Sequence, residues 1–127
     1  MSCIVYTVKV FDNGTKKWYL HGQLHREDGP AVESSDRLEW YKNGKVHREG
    51  GPAIEYADGR TEWWVNEKLH REDGPAIERP DGKEYWYLKG IPFDSKEEFY
   101  AEINKCTLAN KTVIIDGKKY ELKPVEE

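Results

Sequence analysis

Short segments of apolar and aromatic residues alternate with turn signals along most of the chain, and this pattern predicts β-strands. Asn43-Gly44 and Asp58-Gly59 are typical turn signals, because both residue types tolerate the positive φ that a tight hairpin turn requires. The repeated part of the chain has no apolar residues at helical spacing, and its glycines and prolines oppose a long helix. The pattern therefore indicates a mainly all-β protein built from antiparallel hairpins.

The pattern returns with a period of about 23 residues, so that three full copies and part of a fourth follow one another. The stretch 25–33 recurs almost unchanged at 47–55 and 70–78. A lone hairpin is marginal in water, so the copies must pair edge to edge. We predict a single elongated antiparallel β-sheet of stacked hairpins. Each copy forms one hairpin and one connector of the form Lys-x-His-Arg-Glu-Asp-Gly.

Aromatic residues mark the start of each copy, and their alternation predicts two rows of rings on opposite faces of the sheet. The first row consists of Trp18, Trp40, Trp63 and Trp86. The second row consists of Tyr19, Tyr41, Trp64 and Tyr87. Because aliphatic residues are few, we expect the large rings to supply most of the buried area.

The two ends of the chain differ from the copies. Residues 3–20 predict an N-terminal hairpin that precedes the first full copy. After Phe93, Ser95 and Glu98 have the spacing of a capping box, and a helix is expected over 96–105. A last hairpin is expected around Asp116-Gly117. We therefore divide the chain into 1–93, which contains the hairpins, and 94–127, a helix and hairpin that cap the last sheet edge.

One copy resembles a known repeat family. Trp40-Tyr41-Lys42-Asn43-Gly44-Lys45-Val46-His47, followed by Tyr56-Ala57-Asp58-Gly59, is similar to the MORN (membrane occupation and recognition nexus) repeat. The resemblance covers roughly residues 18–93. It implies a hairpin solenoid that binds proteins or lipids and has no catalytic activity. The chain departs from that family where it has His-Arg-Glu-Asp-Gly-Pro-Ala, an arrangement similar to arrays in phage and bacterial proteins, and we expect such a source.

Charge and composition exclude several classes of function. The formal net charge is −4, and acidic and basic residues are intermixed along the chain. Because no basic block is present, we expect no DNA binding. Cys3 and Cys106 are far apart and lack metal spacing, which fits reduced thiols in a cytoplasmic protein. No segment has membrane-spanning length.

The repeated His-Arg-Glu set is the most prominent candidate for chemistry. A shared metal would need His25, His47 and His70. Equivalent histidines in neighbouring copies lie about 10 Å apart, too far for one ion with ligands at about 2 Å. Catalysis would need an asymmetric constellation, whereas these sets are nearly identical. We therefore expect no metal, no cofactor and no enzymatic activity, and interpret the sets as Arg–Glu bonds between neighbouring copies.

Binding is the functional alternative for these residues, because arginine and aromatic side chains are the preferred anchors of interfaces. The candidate binding residues are Arg26, Arg48, Arg71, His25, His47, His70, Tyr41, Trp64 and Tyr87. The leading hypothesis is a non-enzymatic module that binds a protein, such as a phage-encoded inhibitor of a host protein. The alternative is a sequestering protein that holds a nucleotide or another small anionic ligand in clefts between copies. A homodimer, and an enzyme confined to the C-terminal region, also stay open.

Overall fold

The computed structural model describes residues 3–109, 112–115 and 118–121, with side chains described as far as residue 105. Two compact units follow one another, Met1–Pro92 and Phe93–Glu127. The strands that precede the helix are β1 (Thr7–Val10), β2 (Lys16–Leu20), β3 (Gln23–Leu24), β4 (Val32–Glu33), β5 (Arg37–Glu39), β6 (Tyr41–Lys42), β7 (Lys45–Val46), β8 (Ile54–Tyr56), β9 (Thr61–Glu62), β10 (Trp64–Val65), β11 (Lys68–Leu69), β12 (Ile77–Glu78), β13 (Glu84–Leu88) and β14 (Ile91–Phe93).

A long antiparallel sheet forms the first row of hairpins. Its strand order among the described residues is β1-β2-β4-β5-β8-β9-β12-β13-β14, with β3 paired to β2. Each copy contributes one hairpin to this sheet, as where Val32 of β4 pairs with Glu39 of β5. Strand β5 then pairs with β8 of the next copy, for example through Leu38 and Glu55. The prediction of a mainly all-β, antiparallel hairpin fold is confirmed.

A second row of hairpins lies outside the main sheet, because each copy forms two hairpins where one was expected. Strands β6 and β7 form one of these small hairpins, and β10 and β11 form the next. Backbone hydrogen bonds join them across copies. The Glu67 N–H donates to the Val46 carbonyl at 3.0 Å, and the Gly44 N–H donates to the Leu24 carbonyl at 2.9 Å. Both turn signals of each copy therefore close a hairpin of their own.

The tight turns of the second row require two successive residues with positive φ, which matches the twist of the flanking strands. Asn43 and Gly44 have φ of 52° and 80°. The third copy has Asn66 and Glu67 in the same place, with φ of 49° and 67°. Glu67 is therefore a non-glycine residue held in a conformation that the side chain disfavours.

The most completely buried hydrophobic residues of the sheet are small ones, and that large rings supply most of the buried area stays a prediction. The alanines that precede β4, β8 and β12 are completely buried, and Val32 and Ile54 next to them are almost so. The tryptophans that open the copies are only half-buried: Trp18, Trp40, Trp63 and Trp86. The buried alanines are Ala31, Ala53 and Ala76.

The second unit contains α1 (Lys96–Ala109), β15 (Thr112–Ile115) and β16 (Lys118–Glu121). The helix begins where the capping box predicts, because the Ser95 hydroxyl accepts a hydrogen bond from the Glu98 N–H at 3.1 Å. It extends past the expected end at residue 105, since the following residues include no helix breaker. Phe99 is fully buried within this unit. The capping role of 94–127 stays a prediction.

Candidate functional site

Each connector places its arginine on the tryptophan that opens the same copy. The guanidinium carbon of Arg26 lies 4.0 Å from the ring centroid of Trp18. Arg48 lies over Trp40 at 3.9 Å, and Arg71 lies over Trp63 at 4.0 Å. An arginine above an indole face is attracted by the ring quadrupole, with about 0.5–2 kcal/mol for such pairs. The arginines thus cover the half-buried rings.

The same arginines bind carboxylates of their own copy, so the expected Arg–Glu bonds between neighbouring copies are wrong. In the first copy, Arg26 Nη1 donates to Glu33 Oε1 at 3.0 Å and to the Pro30 carbonyl at 3.1 Å. Equivalent bonds occur in the other two copies. The connector turns back at Gly-Pro, and this turn brings the glutamate seven residues later beside the arginine. The pairing therefore joins the arginine of each connector to the glutamate that follows the turn in the same copy.

A glycine in each connector makes room for the guanidinium. A β-carbon placed on Gly74 would lie 2.7 Å from Arg71 Cζ, and one on Gly51 would lie 2.9 Å from Arg48 Cζ. Any larger residue would push the arginine off its ring. This close approach explains why the glycine before each connector proline is the same in all copies.

The histidines, and not the arginines, join neighbouring copies through side chains. Nδ1 of His25 accepts a hydrogen bond from the Asn43 N–H at 2.9 Å. His47 and His70 accept in the same way from the N–H groups of the next copies. With Nδ1 as the acceptor, Nε2 is the ring nitrogen that can donate a hydrogen bond. His25 Nε2 lies 3.4 Å from Glu27 Oε1. These histidines fix the small hairpins of the second row to the preceding connector.

An open groove of about 710 Å³ lies between the first two connectors. Its walls are formed by residues 25–30, 40–42 and 47–49, so both copies contribute. It brings together five of the predicted binding residues, Arg26, Arg48, His25, His47 and Tyr41. The other four lie further along the array and do not line it: Arg71, His70, Trp64 and Tyr87.

The lining of the groove carries balanced charge. Its charged side chains are Arg26, Lys42, Arg48, Glu27, Asp28 and Glu49. The hydrogen bond from Arg26 lowers the pKa of the exposed Asp28 carboxyl, so Asp28 is ionised at neutral pH. Burial, together with the Glu39 carboxylate, raises the pKa of the Tyr41 phenol, so Tyr41 is neutral. Three cations and three carboxylates therefore face the same space.

The second connector differs from the other two at one residue. Asp28 and Asp73 each accept a hydrogen bond from the arginine Nε of their copy, at 2.9 Å in both cases. The equivalent residue of the second copy is Gly50, with φ of 80°. Within the described part of the chain, no group accepts a hydrogen bond from Arg48 Nε. The Arg48 side chain is 32% exposed, against 19% for Arg26 and 18% for Arg71.

Sequence reasoning did not select Lys42, Glu49 or Gly50 as part of the site. The signal for Gly50 was present in the chain, because the second connector reads Glu49-Gly50-Gly51 where the others have Glu-Asp-Gly. Lys42 gave no such signal, whereas Glu49 belongs to the repeated His-Arg-Glu set but was not among the candidate binding residues. Their place in the groove depends on how the second copy folds back against the first.

Comparison of the chain with protein-family models, with curated proteins and with solved structures gives no match. In the described part of the chain, no helix combines the length and the apolar character needed to cross a membrane. Across those same residues, no group of three or more His, Cys, Asp or Glu side chains is placed to hold a metal ion. The function is therefore argued from the groove itself.

Proposed function

We propose that the protein is a non-enzymatic interaction module that binds another protein through the groove between its first and second connectors. The observation that carries this proposal is the open shape of the groove together with its balanced charge. An open surface formed by two copies suits an extended segment or a side-chain patch of a protein. Tyr41 and Arg48 belong to the residue types that anchor protein interfaces.

The balanced lining disfavours the alternative of a sequestered nucleotide. A nucleotide brings two or more negative charges, and sites for it concentrate positive charge and N–H donors. Here Glu27, Asp28 and Glu49 face the same space as the cations and would repel phosphate groups. A protein surface offers both signs of charge and matches this lining better. A phage source, an inhibitory role, a homodimer, a cytoplasmic location and the kinship with MORN repeats stay predictions.

Charge reversal at the groove tests the proposal. A partner captured with the tagged wild-type chain from a bacterial lysate is purified, and its affinity is measured by calorimetry. Lys42→Glu, an exposed change in the groove, is expected to weaken binding about tenfold through like-charge repulsion. Lys83→Glu is the matched control, because Lys83 is equally exposed but follows the Asp81-Gly82 turn outside the groove. We expect it to bind like the wild type.

Equal affinities of the two variants for the partner would show that the groove is not part of the interface. Small molecules extracted from the denatured protein provide the other decisive measurement. A nucleotide recovered in stoichiometric amount would replace the proposed function with sequestration. An extracted small molecule that the protein has chemically converted would show that the protein is an enzyme.

A further inference from the structure

The hydrogen-bond partners of the arginine can be compared among the three connectors. In the first and third copies, a carboxylate of the same connector binds the Nε edge of the arginine, from Asp28 and from Asp73. In the second copy the tryptophan stacking, the bond to the proline carbonyl and the bond to the glutamate are all kept. The carboxylate on Nε is missing, because Gly50 has no side chain. The backbone differs here as well, since Gly50 has φ of 80° and neither Asp28 nor Asp73 has a positive φ.

We propose that the Nε edge of Arg48 binds a carboxylate of the partner protein, from an aspartate or glutamate side chain, in the place that Asp28 and Asp73 fill in the other connectors. This inference rests on the proposed protein-binding function. It names the chemistry that the groove recognises, and it assigns the specificity to one arginine.

Open space is present at Gly50, two residues after Arg48. Apart from Gly50 and its two chain neighbours, no heavy atom lies within 4 Å of the point where a β-carbon of Gly50 would stand. Arg48 is also the most exposed of the three connector arginines. The chain therefore leaves this edge open to solvent, where the two other connectors close it.

The guanidinium of Arg48 is fixed before any partner arrives. Trp40 holds its face, and the Pro52 carbonyl and the Glu55 carboxylate hold Nη1 at 3.0 and 3.3 Å. A fixed guanidinium loses little side-chain entropy on binding, so a single carboxylate gains more affinity here than on a free surface arginine.

The charge around Arg48 favours a singly charged carboxylate over a phosphate group. Glu55 already neutralises part of its charge, and Glu49 lies on the same groove wall. A second negative charge on the ligand would be repelled by these carboxylates. The two aspartates of the other connectors show that a carboxylate fits the Nε edge at 2.9 Å.

Nuclear magnetic resonance of the ¹⁵N-labelled protein tests the inference directly, because each arginine Nε–H gives its own signal. The probe is a capped peptide with one glutamate among neutral residues, added stepwise. We expect a saturable shift of the Arg48 signal, while the signals of Arg26 and Arg71 stay in place. Equal shifts of all three signals, or no shift of Arg48, would overturn the inference. Inorganic phosphate is the second probe, and an equally strong shift of Arg48 with phosphate would also overturn the choice of a carboxylate.

Gly50→Asp is the decisive variant, because it makes the second connector read the same as the first and third. With the connector backbone of the other two copies, the new carboxylate should occupy the Nε edge of Arg48 from within and weaken binding of the single-glutamate peptide about tenfold. Circular dichroism checks its fold, and the Arg48 Nε–H signal checks that the connector has adopted the backbone of the other two, because Gly50 has φ of 80° in the wild type. Wild-type affinity in this variant would refute the inference. A captured partner that loses affinity with Lys42→Glu but not with Gly50→Asp would refute it as well, while leaving the proposed function in place.

Discussion

At the scale of single residues, equivalent side chains make the same hydrogen bonds and contacts in each copy. A few positions differ in residue type from their equivalents. Glu67 is one exception, because the equivalent position is glycine in the corresponding tight turns of the other three copies. Those glycines, Gly22, Gly44 and Gly90, have φ between 78° and 81°. Glu67 adopts φ of 67° with a side chain that disfavours this conformation.

Glu67→Gly is expected to stabilise the protein by about 1 kcal/mol, since a non-glycine residue in the left-handed region costs about 1–2 kcal/mol. Urea unfolding followed by circular dichroism gives the free energy of unfolding of both chains. Gly44→Ala is the matched control and should lower the stability by a similar amount. A neutral or destabilising effect of Glu67→Gly would mean that the Glu67 side chain makes a compensating contribution.

Asp28 is the second residue whose contribution can be separated, through its pH dependence. The bond from Arg26 lowers the pKa of Asp28 in the folded state, so the unfolded state binds more protons around the ordinary pKa of an aspartate. The stabilisation is then present above that ordinary pKa and is lost as the pH falls.

We expect Asp28→Asn to be less stable than the wild type at pH 6, and the difference to shrink at pH 3. Urea unfolding at both values measures it. The exposed Asp12→Asn is the control for the removal of one surface carboxylate. A constant deficit of Asp28→Asn across this range would show that the ion pair with Arg26 does not stabilise the fold.

At the scale of elements, the sequence predicted the hairpins, their period and the start of the helix at Ser95, because these depend on local turn and capping chemistry. It did not predict the partners of the arginines. Arg26 and Glu33 are seven residues apart, and only the fold of the connector brings them together. The sequence also could not show that His25 reaches the Asn43 N–H, because this bond depends on how two copies stack.

For the binding site, the sequence predicted the residue types but not the one place where they stay open. All three connector arginines were equal candidates. The structure shows that Arg26 and Arg71 are closed by their own aspartates, while Arg48 is not. The difference comes from Gly50, whose meaning is clear only once the bond between Asp28 and Arg26 is known. The local sequence pattern predicts the repeat, whereas tertiary contacts determine which connector arginine has a free Nε edge.

The junction between copies gives the element-scale prediction. His25→Leu removes the acceptor of the Asn43 N–H and should cost about 1–3 kcal/mol, because a part-buried donor is left unpaired. His25→Asn offers its side-chain oxygen near the position of Nδ1, so the Asn43 amide should keep its protection from hydrogen exchange. Equal exchange of that amide in the two variants would show that the ring volume of His25 matters and its acceptor does not.

At the scale of the whole molecule, the repeated part is a linear array in which each copy contacts the next. Backbone bonds at each junction accompany the histidine bond. At the first junction the Arg26 N–H donates to the Tyr41 carbonyl, and at the last the Arg71 N–H donates to the Tyr87 carbonyl. The stability of such an array is approximately a sum over copies and junctions, so damage at one junction should act mainly there.

Two variants at opposite ends test this expectation by hydrogen exchange. His70→Leu should speed the exchange of the Arg71 and Lys89 amides, because the bond from the Lys89 N–H to His70 is lost, and should leave the Asn43 amide protected. His25→Leu should give the reverse pattern, with Asn43 exposed and Lys89 protected. If either variant speeds exchange equally at both junctions, the copies unfold as one cooperative unit. If each variant speeds exchange only at its own junction, a partner bound between the first two connectors, as proposed, would stabilise that end of the array most.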